Sequence, residues 1–220
     1  MARKHTKPFT ETCVIYPAEK VEICVASDGS ADETENILKG ANPAVKWTRG
    51  PRLGKATALN EAIRLCSGDI VVFTDVRQEI ERSALRELAA DFADPTVGCV
   101  SGELMLRSGG QNIAGGVSHY WRMEKAVRKL ESETGSVVGA TGAIYAVRRT
   151  LVPEVPAGTL LDDVYIPLAV VRQGQRVLFE PAARAWDDPT GSAVQEFRRN
   201  VRTLAGNYQL LQIAPRLCAD

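Results

Sequence analysis

Hydrophobic positions along the chain recur with two different periods. Two short runs rich in β-branched residues, Val21–Ser27 and Asp69–Thr74, predict strands, and an aspartate directly follows each run. Other segments have the helical period. Apolar residues lie three and four apart in Gly54–Cys66 and again in Leu85–Phe92, which predicts a helix in each segment. Strands alternating with helices indicate βαβ units, so the pattern predicts an α/β fold with a mostly parallel sheet and flanking helices.

A capping-box pattern at Ser30–Glu33 predicts a further helix that ends near Lys39. Beyond Val97 the order of elements is less regular. The elements predicted there are a helix at Val117–Glu131, a strand at Ala143–Val147, a helix opened by Asp162 and Asp163 and closed by Gly174, a strand at Arg176–Glu180, and a final helix at Ala193–Ile213. The chain has no internal repeat or convincing linker, which favours one α/β domain.

Composition narrows the class of protein. The 220 residues are 45% hydrophobic and 25% charged, which predicts a packed core. Lys and Arg together number 27, as do Asp and Glu, and this balance argues against nucleic-acid binding. The five cysteines form no CxxC pair, which favours a reducing compartment and hence a cytoplasmic location. The sequence shows neither a signal peptide nor an apolar run long enough to span a membrane.

The two aspartates that follow the predicted strands, Asp28 and Asp75, are the first candidates for chemistry. In open α/β sheets ligands bind beyond the carboxyl ends of the strands, where helix N-termini also point. One carboxylate there would read a base or sugar hydroxyl, and the other would hold a cation that bridges to phosphate. The alternative is that each aspartate only caps a turn or helix.

Six segments in fixed order resemble a known family. They are VASDGSADET (25–34), GKATALN (54–60), DIVVFTDVRQEIERSAL (69–85), VGATGAIYAVRR (138–149), LDDVYIPLAVVRQGQRVLFE (161–180) and EFRRNVRTLAGN (196–207). Together they resemble bacterial glycosyltransferases of family 2, which have the GT-A fold, a Rossmann-like fold of nucleotide-diphospho-sugar transferases. The resemblance covers 16–215, which leaves 1–15 as an unmatched N-terminal segment and 216–220 as a tail.

The resemblance implies roles for residues at the donor site. Asp28 of the DGS turn would hydrogen-bond the nucleobase, and Lys55 of the GK motif would lie near the nucleotide. Asp75 begins the DxD-like motif, which in the family binds the metal, Mg²⁺ or Mn²⁺, and the sugar diphosphate. For Lys55 the alternative is an exposed lysine at the start of a helix.

The resemblance also assigns the residues that carry out the transfer. Asp162 and Asp163 match the acidic pair that supplies the catalytic base, and Asp163 is the preferred candidate. The glycine-rich segment with Gly139 and Gly142 would line the site for donor sugar and acceptor. Its alternative is a turn of small residues before a strand.

Two arginines on the final helix, Arg199 and Arg202, are three residues apart and share a helix face, so they could clamp a diphosphate. They stand where related processive enzymes have a QxxRW motif, with Arg199 in place of Gln and Thr203 in place of Trp. The alternative is a solvated basic helix face.

Arg77 departs from the family pattern, because it replaces the second acid of the DxD motif. Losing a carboxylate weakens divalent-ion binding, and a nearby guanidinium repels the ion further. Two hypotheses stay open: Arg77 itself neutralises the diphosphate, or a metal ion binds through Asp75 and phosphate alone.

The N-terminus is the second departure. Family members open with a strand and a helix, whereas Tyr16–Lys20 already resembles the loop that follows them, so the first βα unit is expected to be missing. Loss of that strand would expose its neighbour's edge, which predicts a poorly stable or aggregation-prone chain. The resemblance also implies that membrane-anchored relatives continue into transmembrane helices. Full-length relatives are expected at the cytoplasmic face of the inner membrane.

Three functions follow, in order of preference. The first is an inverting glycosyltransferase of the hexosyltransferase type, moving a sugar from a nucleotide-diphospho-sugar to a saccharide or lipid-linked acceptor in polysaccharide or glycolipid synthesis. The resemblance favours UDP as the nucleotide. The second is a catalytically impaired remnant that binds nucleotide or a partner only. The third is a nucleotidyltransferase, which lacks support because no glycine-rich phosphate loop is visible near the N-terminus.

Overall fold

The computed structural model describes residues 15–40, 45–107, 115–188 and 193–215. The predicted end segments, 1–15 and 216–220, lie outside these residues apart from Ile15. The strands are β1 (Ile23–Ser27), β2 (Val45–Arg49), β3 (Ile70–Thr74), β4 (Glu79–Ile80), β5 (Val97–Leu106), β6 (Ile144–Arg148) and β7 (Arg176–Asp187). The α-helices are α1 (Thr34–Lys39), α2 (Lys55–Leu65), α3 (Ala84–Asp91), α4 (Gly115–Thr134), α5 (Asp162–Arg172) and α6 (Ala193–Ile213).

The larger sheet has five strands in the order β3-β6-β5-β7-β4. Only the β5/β7 pair within it is parallel, whereas β3/β6, β5/β6 and β4/β7 are antiparallel. The predicted α/β architecture with flanking helices is confirmed, but the sheet is mixed and not mostly parallel. The hydrophobic period of a segment indicates that the segment forms a strand, but it does not indicate whether that strand pairs in parallel or antiparallel with its neighbours.

Successive side chains of each strand point to opposite faces of this sheet, so the core has two parts, one on each face. On one face Phe73 and Tyr145 stack with ring centroids 4.7 Å apart, and Ala56 of α2 and Ile166 of α5 pack beside them. On the other face the neighbouring strand positions pack against α3, whose Leu88 is 1% exposed. Both faces are therefore covered by helices, which makes the sheet a rigid support for its rim.

The smaller sheet contains only β1 and β2, paired in parallel. Helix α2 packs on both of these strands and also on the core face of β3. Within the described part of the chain, no strand pairs with the second edge of β1 or with the outer edge of β3. The two sheets are therefore joined through α2 and not through a shared ladder of hydrogen bonds.

Helix α1 begins later than the capping-box pattern predicts. Its N-cap is Glu33, which makes no side-chain capping bond. Asp32 instead accepts hydrogen bonds from the backbone N–H and hydroxyl of Thr34. The local Asp32–Thr34 turn competes with the predicted cap, so the capping-box prediction at Ser30–Glu33 was wrong.

Helix α6 has the predicted bounds and docks along a narrow seam, in which Gly206 and Leu210 are buried and Gln209 makes polar contacts. Gln209 accepts a hydrogen bond from the N–H of Leu160 and donates one to the carbonyl of Gly158. A Cβ on Gly206 would lie 2.5 Å from Leu161 Cγ, so the close approach requires glycine. The apolar stripe that predicts the helix faces solvent instead, with Phe197 69% exposed. Among the described residues, no helix has the length and hydropathy needed to cross a membrane.

Candidate active site

One rim of the five-stranded sheet gathers most of the residues that the sequence singled out. Asp75 follows the last residue of β3, Lys55 opens α2 and Asp162 opens α5. These ends border a cavity of about 290 Å³. Eight of the predicted site residues line it: Lys55, Asp75, Arg77, Gly142, Asp162, Asp163, Arg199 and Arg202.

Lys55 lies between two of the carboxylates. Its Nζ is 3.0 Å from Asp162 Oδ1 and 3.6 Å from Asp75 Oδ1. Burial acts against the ammonium charge, but the Asp162 and Asp75 carboxylates outweigh it, so the pKa of Lys55 is raised. Lys55 does stand exposed at the start of α2, with its side chain 44% exposed, but it is not a free surface charge, because two carboxylates of the cavity pair with it.

The two adjacent aspartates occupy different environments. Asp162 is the deeper one, with a side chain 5% exposed, and it is paired with Lys55. Asp163 faces the glycine-rich segment, where a Cβ on Gly142 would lie 2.6 Å from its Oδ2. The N–H of Ala140 also donates to the backbone carbonyl of Asp163, at 2.9 Å. Glycine at 142 thus leaves the space that the Asp163 carboxylate occupies.

The pKa of Asp163 is raised to about 6. Burial is the largest cause, the charge of Asp162 adds to it, and Lys55 opposes it. A carboxyl group with this pKa is ionised at neutral pH, yet it holds a proton more tightly than an ordinary aspartate does. That is the property expected of a general base.

Asp28 lies outside this cavity and lines a second one, of about 270 Å³. The N–H of Gly54 donates to both of its carboxylate oxygens, at 3.1 and 3.0 Å. Because Lys55 follows Gly54, the start of α2 connects the two cavities. Gly29 has φ +63°, and a Cβ there would lie 3.0 Å from Arg52 N, so the turn requires glycine.

Arg77 is turned towards the end of β7. Its Nε lies 3.5 Å from Asp187 Oδ2, and the amide of Gln78 donates to the same oxygen at 3.3 Å. Sequence reasoning missed Asp187, although an acid at the end of a strand was the signal that identified Asp28 and Asp75. The pairing holds the guanidinium of Arg77 beside the cavity.

The arginines of α6 line the same cavity. Arg202 donates to the carbonyl of Leu160 at 3.2 Å, and both Arg199 and Arg202 line the cavity wall. Thr203 and the Leu160–Leu161 segment also line it, and the sequence analysis did not predict a binding role for them. The seam that docks α6 thus places its two arginines on the wall of the cavity that Lys55 also lines.

Gly139 does not reach the cavity. A Cβ there would lie 3.3 Å from Val164 Cγ2, so this glycine allows its segment to pack on the first turn of α5. Tyr145 lies in the core nearby, and its hydroxyl is buried with no hydrogen-bond partner among the described residues. Burial and then the Asp162 and Asp163 charges raise the pKa of that phenol.

The residues around Asp75 do not fit the divalent cation that the family resemblance assigns there. Mg²⁺ and Mn²⁺ need several oxygen ligands, and in phosphate-binding sites one or two carboxylates add to those that the substrate phosphates supply. The described residues contain no group of three or more Asp, Glu, His or Cys side chains that could hold a metal ion. Asp75 is already paired with Lys55, and Arg77 replaces the second acid.

Comparison with known proteins identifies the family to which this site belongs. The family model described as Glycosyl transferase family 2 matches residues 8–155 of this chain. The poly-beta-1,6-N-acetyl-D-glucosamine synthase of Staphylococcus aureus (strain COL) is 24% identical over 202 residues, which are 88% of this chain and 49% of that protein. The chain therefore spans about half the length of this curated relative.

Solved structures share the fold. The mannosyltransferase PcManGT of Pyrobaculum calidifontis, in complex with GDP-Man and Mn²⁺, superposes with a TM-score of 0.75 and 24% identity over 92% of this chain and 57% of that one. S. aureus TarS 1–349, in complex with UDP-GlcNAc, superposes with a TM-score of 0.61 and 17% identity over 81% of this chain and 52% of that one. Both are GT-A glycosyltransferases, so the fold predicted from the sequence is confirmed.

Proposed function

Because the chain belongs to glycosyl transferase family 2, we propose that it transfers a sugar from a nucleotide-diphospho-sugar to a hydroxyl acceptor, with inversion at the anomeric carbon. One observation carries the proposal. Asp75, Asp162, Asp163 and Lys55 converge on a single cavity of about 290 Å³ that two arginines of α6 also line. Such a site offers both a base for a hydroxyl proton and positive charge for a departing diphosphate.

The proposed reaction is a direct displacement. The acceptor oxygen attacks the anomeric carbon, and the Asp163 carboxylate takes the hydroxyl proton. As the new carbon–oxygen bond forms, the bond to the diphosphate oxygen breaks, and that oxygen leaves with the electron pair. Positive side chains already in place stabilise the developing charge without reorganising.

The nucleotide would extend from this cavity towards Asp28. The shared N-terminus of α2 supports this path, because Gly54 contacts Asp28 and Lys55 contacts Asp75. Asp28 would hydrogen-bond the base. We propose UDP as the nucleotide, in keeping with the UDP-GlcNAc complex of TarS, although the PcManGT complex makes GDP the comparison to test. The acceptor would be a saccharide or a lipid-linked saccharide, in keeping with the polysaccharide-synthase name of the S. aureus relative.

A Mg²⁺ or Mn²⁺ ion at Asp75 is the one part of the family scheme that the local residues do not favour. No step above depends on such an ion. A second candidate function, nucleotide binding without transfer, is favoured by Arg77 in place of an acid and by the separate two-stranded sheet that carries Asp28.

The test is release of nucleoside diphosphate from UDP-GlcNAc, UDP-glucose and GDP-mannose, with and without oligosaccharide acceptors. We expect release from at least one donor, and a large loss of release in Asp163→Asn. Binding of nucleotide by a folded chain that releases none from any donor would favour the second candidate.

A further inference from the structure

We infer that this chain neutralises the donor diphosphate with its own side-chain cations, centred on Lys55, and not with a divalent metal ion. The inference rests on the proposed function, since it concerns the same cavity and presupposes a nucleotide-diphospho-sugar in it. It concerns the way that this chain departs from the DxD pattern of its family.

The charge lining the cavity is the first support. Its ionisable side chains are four cations, Lys55, Arg77, Arg199 and Arg202, and three carboxylates, Asp75, Asp162 and Asp163. The lining is thus positive by one charge when all of them are ionised, and Asp187, which pairs with Arg77 beside the cavity, brings the wider site to neutral. The four cations are able to meet a diphosphate without a metal ion, and a divalent cation would have to enter among them against their repulsion.

The position of Lys55 is the second support. Its ammonium lies 3.0 Å from Asp162 and 3.6 Å from Asp75, between the two carboxylates that a bridging cation would share. A metal ion at that point would have to displace the Lys55 ammonium from both carboxylates. The ammonium and the metal ion would repel each other if both were present, so Lys55 competes with a metal ion for this position.

Arg77 is the third support, because it removes an acid and adds a positive charge at the same position. Asp187 holds its Nε at 3.5 Å. The guanidinium is thereby kept at the cavity edge, where it repels a second cation but is able to reach a phosphate oxygen. The other two arginines, on α6, line the same cavity. Phosphate oxygens that enter this cavity would meet cations from α2, from α6 and from the segment after β3.

These contacts give Asp75 and Asp162 a positioning role. They hold the Lys55 ammonium in place before the donor binds, so that it meets the diphosphate oxygen as the bond to the anomeric carbon breaks. Lys55 would then act as the fixed counter-charge of the leaving group, and Asp163 would remain free to accept the hydroxyl proton.

The test is calorimetric titration of the full chain with UDP and with GDP, first in excess Mn²⁺ and then in excess EDTA. We expect the dissociation constant of the better nucleotide to differ by less than about threefold between the two conditions. Electron paramagnetic resonance of Mn²⁺ with UDP should show no protein-dependent change. Binding that needs Mn²⁺, with tenfold or greater weakening in EDTA, would overturn the inference and leave the proposed function standing.

Variants sharpen the test. Arg77→Asp restores an acid pair, and we expect it to acquire Mn²⁺ dependence of about tenfold in UDP affinity. Lys55→Met should weaken UDP binding about tenfold or more in both conditions, whereas Lys55→Arg should retain metal-independent binding. Lys129→Met is the matched control, since Lys129 is an exposed lysine paired with Glu133 on α4, outside the cavity.

The remaining outcomes are also decisive. Metal-independent binding that Lys55→Met leaves unchanged would overturn the role of Lys55. Failure of the folded chain to bind UDP or GDP in either condition would overturn the proposed function, and this inference with it.

Discussion

The five-stranded sheet and the two-stranded sheet both contribute to the proposed site, but they are stabilised in different ways. The larger sheet has apolar clusters on both faces, covered by helices. Among the described residues before α2, by contrast, only Ser27 is buried, and no apolar side chain is. The acids to which we assign the transfer therefore lie on a packed support, whereas Asp28, proposed to bind the base, lies on a part that packs loosely.

Polar contacts at the two ends of α2 hold the smaller sheet. At the N-terminal end Gly54 donates to Asp28. At the other end Glu22 accepts hydrogen bonds from the backbone and hydroxyl of Ser67, at 3.0 and 2.6 Å. Such contacts orient a unit but stabilise it less than burial does. The comparison predicts large effects on chemistry and stability in the five-stranded part and small, local effects in the two-stranded part.

The largest expected effect is on catalysis. Asp163→Asn removes the proposed base and should lower the transfer rate by about 10²- to 10⁴-fold without loss of stability. The measurement is kcat for nucleotide release from the donor that the chain accepts. Asp91→Asn is the matched control, because burial and then the Glu180 charge raise the pKa of Asp91 to about 6 as well, away from the cavity. Equal losses in both variants would remove the special role of Asp163.

The next effect is on stability. Leu88→Ala empties a fully buried position under the five-stranded sheet and should cost about 2–5 kcal/mol of unfolding free energy. Ile37→Ala on α1, where the side chain is 54% exposed, should cost less than about 1 kcal/mol. Urea denaturation of both variants checks the pair. Similar losses would contradict the contrast between the two sheets.

The pH dependence tests the environment of Asp163. Because burial and then the Asp162 charge raise its pKa to about 6, the base form is lost below that pH. We expect kcat/KM to rise as the pH increases through about 6 and then to level off. A profile that is already flat from about pH 5, as for an ordinary aspartate, would show that Asp163 is not the titrating base.

The smallest effect concerns the end of the smaller sheet. The pKa of Glu22 is lowered to about 2, chiefly by its hydrogen bond with Lys46 and then by Ser67. Its stabilising contribution is therefore present above the ordinary carboxyl range and is lost as the pH falls through about 2. Glu22→Gln should cost at most about 1 kcal/mol.

Hydrogen exchange would show which strands the Glu22→Gln substitution destabilises. Exchange should accelerate at β1 in Glu22→Gln and stay unchanged at β5. Glu133→Gln on α4 is the control, since Glu133 is also paired with a lysine, Lys129, but does not join the two sheets. Equal acceleration in β1 and β5 would mean that the two sheets unfold as one unit.

The positions of these acids could be predicted because each follows a clear strand or opens a clear helix, whereas the roles of Asp162 and Asp163 came only from the family resemblance. Asp75 comes directly after a β-branched run, and Asp162 with Asp163 starts an apolar helix. A strand end places a side chain at a rim of the sheet, and strand direction decides which rim it is. Strands β3, β5 and β7 run in the same direction, because β6 is antiparallel to both β3 and β5 and β5 is parallel to β7, so their carboxyl ends share one rim. The bounds of α6 were predicted from the helical spacing of its apolar residues.

Other features depend on partners distant in sequence. Lys55 pairs with Asp162, and Arg77 pairs with Asp187, and neither pairing has a local signal. Strand β2 was not predicted, because Lys46, Thr48 and Arg49 dilute its apolar pattern. The strand directions in the mixed sheet also have no local signal, because tertiary contacts decide which strands pair and in which direction.

The most direct test of the central claim is hydrogen exchange of the full chain with and without saturating UDP-GlcNAc or GDP-mannose. A nucleotide sugar that spans both sheets should slow exchange at three places together, namely the Asp28–Gly29 turn, the start of α2, and the first turn of α5 with the adjacent glycine-rich segment. Protection confined to the Asp28 turn would support nucleotide binding without a sugar site at the acids. No protection anywhere in a folded sample would contradict the account.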